Sequence, residues 1–303
     1  MNDLLKIATF SLAKRLVDMD ASRRALSVYL VVMLALASML PAHAERNTHR
    51  FGVLSQRSAV LTAEHWNPIL SWISKQAGVA LELHVARSAP ESNQAIAAGE
   101  YDFVYSNTIF RPTVAAQGYQ VILRPRSAAI SSQIVTLENS PIQTLRDLAG
   151  REVGFPSRLA FVGYAVPMDH LLREEIAVQP VFGGNQEGIM GQLQAGRVIA
   201  AAVNSQVMRH FANREKLAYR VLWESQPFHN LPIAAHPRVP LSEARAVQRA
   251  FARMPGDPEG ARVLETAAKV IDQQPPHGFV PATQQDYENY LAFYRTCLVK
   301  EVE

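Results

Sequence analysis

The sequence predicts an α/β protein with two lobes, each a mostly parallel sheet flanked by helices, joined by two hinge strands. Two observations carry this prediction. From Arg50 to Leu123, short apolar runs alternate with amphipathic helical segments, a pattern typical of a parallel sheet covered by helices. The same order of segments begins again at Pro141, which indicates a second unit of the same kind.

The first half of the chain is predicted to hold four strands and three helices. In chain order the strands lie at 50–55, 81–85, 101–106 and 120–123, and the helices at 63–76, 92–98 and 108–117. In the helix at 63–76, Trp66, Ile69 and Ile73 recur at helical spacing, and Gly78 follows as a left-handed stop.

The second half repeats this order and is bounded by two strand-like connectors, at 130–136 and 226–235. Its strands are predicted at 151–155, 178–182 and 198–203, and its helices at 142–148, 164–175, 186–195 and 206–213. C-terminal helices complete the first lobe, at 242–253, 259–269 and 283–296. Paired connectors are typical of a hinge, because a few backbone torsions can close two rigid lobes on a ligand. The predicted organisation is a leader at 1–44, lobe one at 45–132 and 229–303, and lobe two at 133–228.

The N-terminus has the three parts of a secretory signal peptide. Arg23 and Arg24 precede an uncharged apolar run at 25–40, and the sequence PAHA at 41–44 provides an A-x-A ending. The run is shorter than the roughly 20 apolar residues of a transmembrane helix. We expect cleavage after Ala44 and export of the remaining chain. An uncleaved anchor and a start at Met19 are the alternatives.

The composition of the chain indicates which kinds of ligand or partner to expect. Residues 45–303 carry 25 basic and 24 acidic side chains without a basic cluster, so nucleic acid is not expected as a partner. A single cysteine, Cys297, excludes an internal disulfide. The scattered histidines lack the spacing of metal ligands, and no glycine-rich phosphate loop occurs. We therefore expect no metal and no cofactor, and a monomer that binds a small molecule.

A repeated pattern places one asparagine in each half. Gly99 ends a predicted helix and Asn107 lies eight residues later, and Gly196 and Asn204 stand in the same relation. Each asparagine follows a predicted strand, and ligands of open α/β sheets bind at the carboxyl ends of strands. We expect the two asparagines to face a common cleft. Chance similarity between two helix–Gly–strand units is the alternative.

The stretch 155–167 joins a predicted strand to the helix that begins near Tyr164. The first turn of a helix carries unpaired backbone N–H groups and partial positive charge, which suits an anionic or polar ligand. An ordinary strand–helix connection is the alternative interpretation of this stretch.

Over most of residues 45–303 the chain resembles the periplasmic substrate-binding proteins of ABC transporters, in the phosphate/phosphite/phosphonate-binding (PhnD-like) group. The motifs that carry the resemblance are WNP at 66–68, GEYDF at 99–103, LRDLAGR at 145–151, Gly163-Tyr164 with Pro167, the Gly196 strand, and SQP at 225–227 with Leu231-Pro232. The resemblance implies the type II periplasmic-binding-protein fold, a hinged cleft, and capture of a small anion for delivery to a membrane permease.

The chain departs from this family where the ligand would be bound. In the family the loop before Gly163 reads Ser-Thr-Ser-Gly, and its hydroxyl and N–H groups hold phosphonate oxygens; here Ala160, Phe161 and Val162 stand in those places. The acidic pair that receives an amine maps near Glu187 and Asn204, of which Asn204 is neutral. Each lost hydrogen bond to a charged group is worth about 1.5–3 kcal/mol. We therefore expect a ligand altered from phosphonate, more apolar or only partly anionic, that packs against Phe161.

The candidate ligand-binding residues are Ser55, Gln56, Tyr105, Ser106, Asn107, Ser157, Arg158, Ala160, Phe161, Val162, Tyr164, Glu187 and Asn204. Alternatives remain for several of them. Arg158 can be a solvated loop charge, and Tyr105, Phe161 and Tyr164 can be core aromatics. Glu187 in the first turn of a helix can serve the helix dipole.

These features predict a binding protein, and they leave two alternatives to uptake through a permease. A closed lobe pair can dock on a membrane receptor kinase as a ligand sensor. A hydrolase assembled from distant residues is a third class, since catalytic triads are recognised by geometry. No HExxH or GxSxG motif is present, and the neighbours Asp169 and His170 point to different faces of a helix, so we expect no enzyme.

Overall fold

Two sheets organise residues 48–300, the part of the chain that this computed structural model describes. The predicted leader at 1–44 and its cleavage site lie outside the described residues. In chain order the strands are β1 His49–Val53, β2 Leu81–Val85, β3 Phe103–Tyr105, β4 Gln120–Pro125, β5 Ser132–Leu137, β6 Glu152–Phe155, β7 Gln179–Phe182, β8 Ala200–Asn204, β9 Tyr219–Glu224, β10 Ile233–Ala235 and β11 Phe279–Pro281.

Helices alternate with these strands over most of the chain. They are α1 Ala59–Ala77, α2 Ala89–Ala97, α3 Val166–Arg173, α4 Gln186–Gln194, α5 Ser205–Glu215, α6 Leu241–Arg253, α7 Pro258–Val270 and α8 Glu288–Thr296. Within residues 48–300 none of them is long and apolar enough to cross a membrane.

The strand pairing confirms an α/β fold with two sheets. The first sheet has the order β11-β4-β10-β3-β1-β2 and the second the order β7-β6-β8-β5-β9. The central strands are parallel: β1 pairs with β2 and β3, and β6 pairs with β7 and β8. Antiparallel pairs come from β5, β10 and β11, so both sheets are mixed rather than parallel throughout.

The chain passes between the sheets at two adjacent connectors, which link β4 to β5 and β9 to β10. The connectors pair with each other at one point, where Ile130 N–H donates to Phe228 O at 2.8 Å and Phe228 N–H to Ile130 O at 2.7 Å. Two extended strands side by side are the arrangement expected of a hinge. Below, a sheet together with its packed helices is called a lobe; the predicted domain limits at 132 and 228 stay predictions.

Apolar helix faces cover both sides of each sheet. On the first sheet, Trp66 and Ile69 of α1 pack with Phe251 of α6 and Leu264 of α7, and the opposite face carries α2 and α8. On the second sheet, α3 covers one face and α4 and α5 the other. Helix layers on both faces leave the carboxyl ends of the parallel strands at one edge of each sheet, where a ligand can be held.

Prolines account for two departures from the predicted helices. The predicted helix at 108–117 is only two 3₁₀ turns, Thr108–Phe110 and Ala115–Gln117. Pro112 disfavours helical backbone at the residue before it, and Arg111 is extended, with ψ 136°. The predicted helix at 164–175 begins earlier, at Phe161, with a π turn whose Ala165 N–H donates to Ala160 O at 2.9 Å. Pro167 lacks the N–H that would close a regular turn here.

Three further elements differ from the prediction. The predicted helix at 142–148 is one 3₁₀ turn, Leu145–Leu148, with a capping box between Thr144 and Asp147. The strands β9 and β11 were not predicted. β9 forms the edge of the second sheet and β11 the edge of the first. No residue of β9 is fully buried and β11 has only three residues, so neither strand shows a strong apolar alternation.

Candidate functional site

A small cavity lies between the lobes at the carboxyl ends of β1, β3, β6 and β7. Its volume is about 20 Å³, close to what one water molecule needs. The first lobe contributes Leu54, Ser55, Gln56, Ala89, Asn93 and Asn107, and the second contributes Pro156, Ser157, Ala160, Phe161, Val162, Gly163, Asn185 and Gln186. We call this cavity the cleft.

Direct bonds between the lobes close the cleft. Ala89 N–H, at the start of α2, donates to Gly184 O at 3.1 Å. Glu187 N–H donates to Gln56 O at 3.2 Å, and the Glu187 carboxylate accepts from Ser58 N–H at 3.4 Å. These bonds join the β1–α1 loop and α2 to the β7–α4 loop, so the structure is the closed arrangement of the lobes.

Two buried polar groups on the cleft wall have no hydrogen-bond partner among residues 48–300. One is the hydroxyl of Ser157, which is 2% exposed, and the other is the amide nitrogen of Asn93, which is 1% exposed. The oxygen of the Asn93 amide accepts from the Thr108 hydroxyl, which directs the unpartnered NH₂ away from Thr108. An unsatisfied buried donor costs about 1–3 kcal/mol, so a ligand that accepts from both groups gains that energy.

Backbone donors from 161–163 lie beside Ser157. The π turn and α3 form one continuous helical segment from Phe161, and its first N–H groups have no partner inside the segment. Gly163 is packed closely: a Cβ at this position would lie 2.6 Å from Pro156 Cγ and 2.7 Å from Gln186 Nε2. Gln186 in turn accepts from Asn204 N–H at 3.0 Å through Oε1. This packing fixes the loop around which the cleft is built.

The ring of Phe161 fills a socket of aromatic side chains. Phe161 is 3% exposed and stacks on Tyr290 of α8, with the centroids 4.3 Å apart. Phe228 and Phe293 approach with their rings nearly perpendicular, at 4.9 and 5.1 Å. Phe161 comes from the second lobe, and Tyr290 and Phe293 lie on the helix that covers the first. The ring therefore joins the lobes beside the cleft.

Seven of the thirteen predicted site residues line the cleft, namely Ser55, Gln56, Asn107, Ser157, Ala160, Phe161 and Val162. Of the two asparagines of the repeated pattern, which were expected to face a common cleft, only Asn107 lines it. Asn107 lies on the wall, while Asn204 caps α5 by accepting from Gln206 N–H at 2.9 Å and Val207 N–H at 3.2 Å. Its amide nitrogen is buried without a partner among the described residues.

The other predicted residues contact protein rather than the cleft. The Arg158 guanidinium lies over the Phe182 ring, 4.8 Å from its centroid, and Tyr164 packs edge-on against Phe155. Tyr105 packs on Trp66 at 4.9 Å, and burial raises the pKa of its hydroxyl to about 12.

Ser106 and Glu187 also have protein partners. The Ser106 hydroxyl accepts from Thr108 N–H at 3.1 Å. The Glu187 carboxylate forms an ion pair with Arg214 at 3.0 Å as well as accepting from Ser58. Both side chains therefore hold segments next to the cleft in place.

Several wall residues were not predicted from the sequence, chiefly Asn93, Gln186 and Gly163. Asn93 lies on α2, where a polar residue in an amphipathic helix gives no signal of its own. Gln186 could have been predicted, because the N-cap Asn185 directly before it marks a helix start that follows a strand end. Among the described residues no group of three or more histidine, cysteine, aspartate or glutamate side chains could hold a metal ion.

The comparisons with known proteins agree with one another. A family model described as "ABC transporter, phosphonate, periplasmic substrate-binding protein" matches residues 51–287. No curated protein matches the sequence. Solved structures with a similar fold include a binding protein component of an ABC phosphonate transporter from Pseudomonas aeruginosa, with 16% identity, a TM-score of 0.69, and 83% of this chain and 85% of that chain covered.

Two further solved structures share the fold. PhnD1 from Prochlorococcus marinus, in complex with methylphosphonate, is 13% identical with a TM-score of 0.67, covering 82% of this chain and 97% of that chain. A Xanthomonas citri protein bound to chloride is 16% identical with a TM-score of 0.64 over the same shares of the two chains. At these identities the likeness establishes the fold.

Proposed function

The chain belongs to the family of periplasmic substrate-binding proteins of phosphonate ABC transporters, and from this premise we propose the chemistry of its ligand. As a member of this family it is a binding component for transport through a permease rather than an enzyme. We propose that the ligand is a small organic anion. Its oxyanion group accepts from Ser157, Asn93 and the backbone N–H groups of 161–163, and its carbon skeleton lies against the apolar part of the cleft wall.

The unpartnered donors of Ser157 and Asn93 carry this proposal. Both side chains line the same cavity, one from each lobe, so a single acceptor group between them satisfies both and joins the lobes. Charge-assisted hydrogen bonds are about twice as strong as neutral ones. An anion is therefore favoured over a neutral acceptor.

The apolar part of the wall favours an organic anion over a bare inorganic one. Ala160, Phe161 and Val162 occupy the positions of the family's hydroxyl residues, and Leu54 and Ala89 face them from the first lobe. Such a wall pairs poorly with a strongly hydrated ion, because water is removed without replacement. It suits a methyl or methylene group, which gains about 0.8 kcal/mol for each buried CH₂.

The proposed contact between Phe161 and the ligand is limited to the part of the ring that lines the cavity. Tyr290 covers one face of the ring, and Phe228 and Phe293 contact it from other sides. The main role of the Phe161 ring is therefore to hold the two lobes together. The ligand contacts only the edge of the ring that these side chains leave uncovered.

A calorimetric panel on the protein from Glu45 onward tests the proposal. The panel compares methylphosphonate, phosphonoacetate, methanesulfonate and propionate with inorganic phosphate and with neutral propanol. We expect organic anions to bind more tightly than phosphate and propanol not to bind. Binding of phosphate at least as tight as that of every organic anion contradicts the proposal, and so does equal binding of propanol.

A further inference from the structure

Arg57 is a half-buried arginine whose guanidinium has no hydrogen-bond or ion-pair partner in the part of the chain that the structure describes. It follows the cleft residue Gln56 in the β1–α1 loop. Burial lowers its pKa, with Glu187 and Tyr105 acting in the opposite direction. A guanidinium has five N–H donors, and those of Arg57 are not among the fully buried unpartnered atoms of residues 48–300, so they are accessible to an acceptor from outside.

The neighbouring carboxylates are occupied by another arginine. Arg214 binds Glu187 at 3.0 Å and Glu215 at 3.0 Å, and Glu187 also accepts from Ser58 N–H. His65, which lines the same cavity as Arg57, does not bond to Arg57 either. The His65 ring bonds to Ala267 O at 2.8 Å, and burial lowers its pKa to about 4, so it is neutral at pH 7. Among residues 48–300 no carboxylate is therefore bonded to Arg57, and an anion from outside can take that place.

The position of Arg57 connects it with the cleft. A second cavity of about 20 Å³ is lined by Arg57 together with Thr62, His65 and Tyr105, and it shares the wall residues Leu54 and Gln56 with the cleft. Leu54 and Gln56 therefore form the partition between the two cavities, and Arg57 lies on the far side of that partition from Ser157 and Asn93.

We propose that Arg57 binds a second acidic group of the ligand, so that the protein selects bifunctional organic acids over acids with one charged group. This inference rests on the proposed function, in which the first acidic group lies at Ser157 and Asn93. Arg57 is then a charged specificity residue on the first lobe. It offsets the weaker binding by the second lobe, which lacks the family's hydroxyl groups at 160–162.

The test measures dissociation constants for phosphonoacetate, which has two acidic groups, and methylphosphonate, which has one. Wild type, Arg57→Gln, Arg57→Lys and the control Arg253→Gln are compared; the control removes one charge from an exposed end of α6. We expect Arg57→Gln to weaken phosphonoacetate binding about 10- to 100-fold, as for a charged hydrogen bond, and to change methylphosphonate binding less than about threefold. Arg57→Lys should keep part of the preference, and the control all of it.

The outcomes separate this inference from the proposed function. If the wild type binds both acids equally, the role of Arg57 is overturned and the proposed function stands. Equal losses for both ligands in Arg57→Gln also overturn it, because Arg57 then acts through lobe closure. A wild type that binds neither acid overturns the proposed function and this inference together. Thermal unfolding of each variant shows that it is folded, and Arg57→Lys serves as the second variant if Arg57→Gln is not.

Discussion

At the scale of single residues, the distinguishing feature of the cleft is two buried polar groups without hydrogen-bond partners among the described residues. These are the Ser157 hydroxyl and the Asn93 amide nitrogen, although buried polar groups are nearly always paired in folded proteins. Exceptions of this kind on the wall of a cavity indicate a site that a ligand completes.

The Ser157 hydroxyl gives the first prediction. Ser157→Ala should weaken binding of the tightest anion in the panel by about 10- to 100-fold, because one hydrogen bond to a charged group is lost. Isothermal titration calorimetry measures the change. The matched control is Ser132→Ala, which removes another buried, unpartnered hydroxyl that does not line the cleft. A similar loss in both variants would show that the effect is not local to the site.

Gly163 gives the second prediction. In Gly163→Ala, the new Cβ would lie 2.6 Å from Pro156 Cγ and 2.7 Å from Gln186 Nε2, so the loop at 161–163 must move. Overpacking of this kind costs about 1–3 kcal/mol. We expect urea unfolding to show this loss together with weaker ligand binding. The control is Gly191→Ala on the same lobe, where a Cβ meets nothing within 4 Å. Unchanged stability in Gly163→Ala would refute the close packing.

At the scale of secondary structure, the C-terminal segment joins the lobes a third time. Helix α8 holds Phe161 through Tyr290. The chain after it then reaches the second lobe, where Leu298 N–H donates to Asp169 at 2.7 Å and Arg173 donates to Thr296 O at 2.7 Å. Both connections stabilise the closed arrangement of the lobes without a ligand.

Removing the Phe161 ring should therefore open the protein. Phe161→Ala empties the socket formed by Tyr290, Phe228 and Phe293, and such a truncation costs about 3–5 kcal/mol of stability. Most of this energy comes from contacts between lobes, so we expect small-angle scattering of the ligand-free variant to show a larger radius of gyration than wild type. Phe182→Ala, which removes a ring within the second lobe, serves as the control and should destabilise without opening. Equal radii for wild type and Phe161→Ala would contradict this role.

The same scale shows what the sequence could predict. Helices with long apolar stripes, such as α1, and the parallel strands β1, β2 and β6 follow from periodicity alone. Elements around prolines do not: Pro112 divides a predicted helix, and Pro167 accompanies a π turn.

The candidate site was predictable in part, because strand ends and a helix start locate the cleft. Side-chain direction was not predictable. Arg158 turns to Phe182 and Glu187 to Arg214, since each finds a partner from a distant segment. Asn93 and Arg57 were missed for the converse reason: among the described residues the Asn93 amide nitrogen and the Arg57 guanidinium have no hydrogen-bond partner, which only the packed structure reveals.

At the scale of the whole molecule, stability depends on two histidines whose pKa values are lowered in the folded protein. Burial lowers the pKa of His65 to about 4 and that of His210 to about 4. The two residues lie on different lobes, and Arg57 lowers the pKa of both. Protonation of either ring therefore adds a positive charge near Arg57.

The pH dependence of stability follows chiefly from these two histidines, because the lowering of the pKa is largest for them; burial lowers the pKa of His229, His236 and His277 as well. An unfolded histidine has a pKa near 6.5, so between about pH 6.5 and 4 the unfolded chain binds more protons than the folded one. Stability is therefore full above pH 6.5 and falls as the pH drops towards 4, by at most roughly 3 kcal/mol for each histidine. Urea midpoints measured from pH 4.5 to 7.5 should show this decline in wild type. The double variant His65→Gln/His210→Gln should lose most of it, since neither position titrates, and a wild-type slope in that variant would assign the pH dependence to other groups.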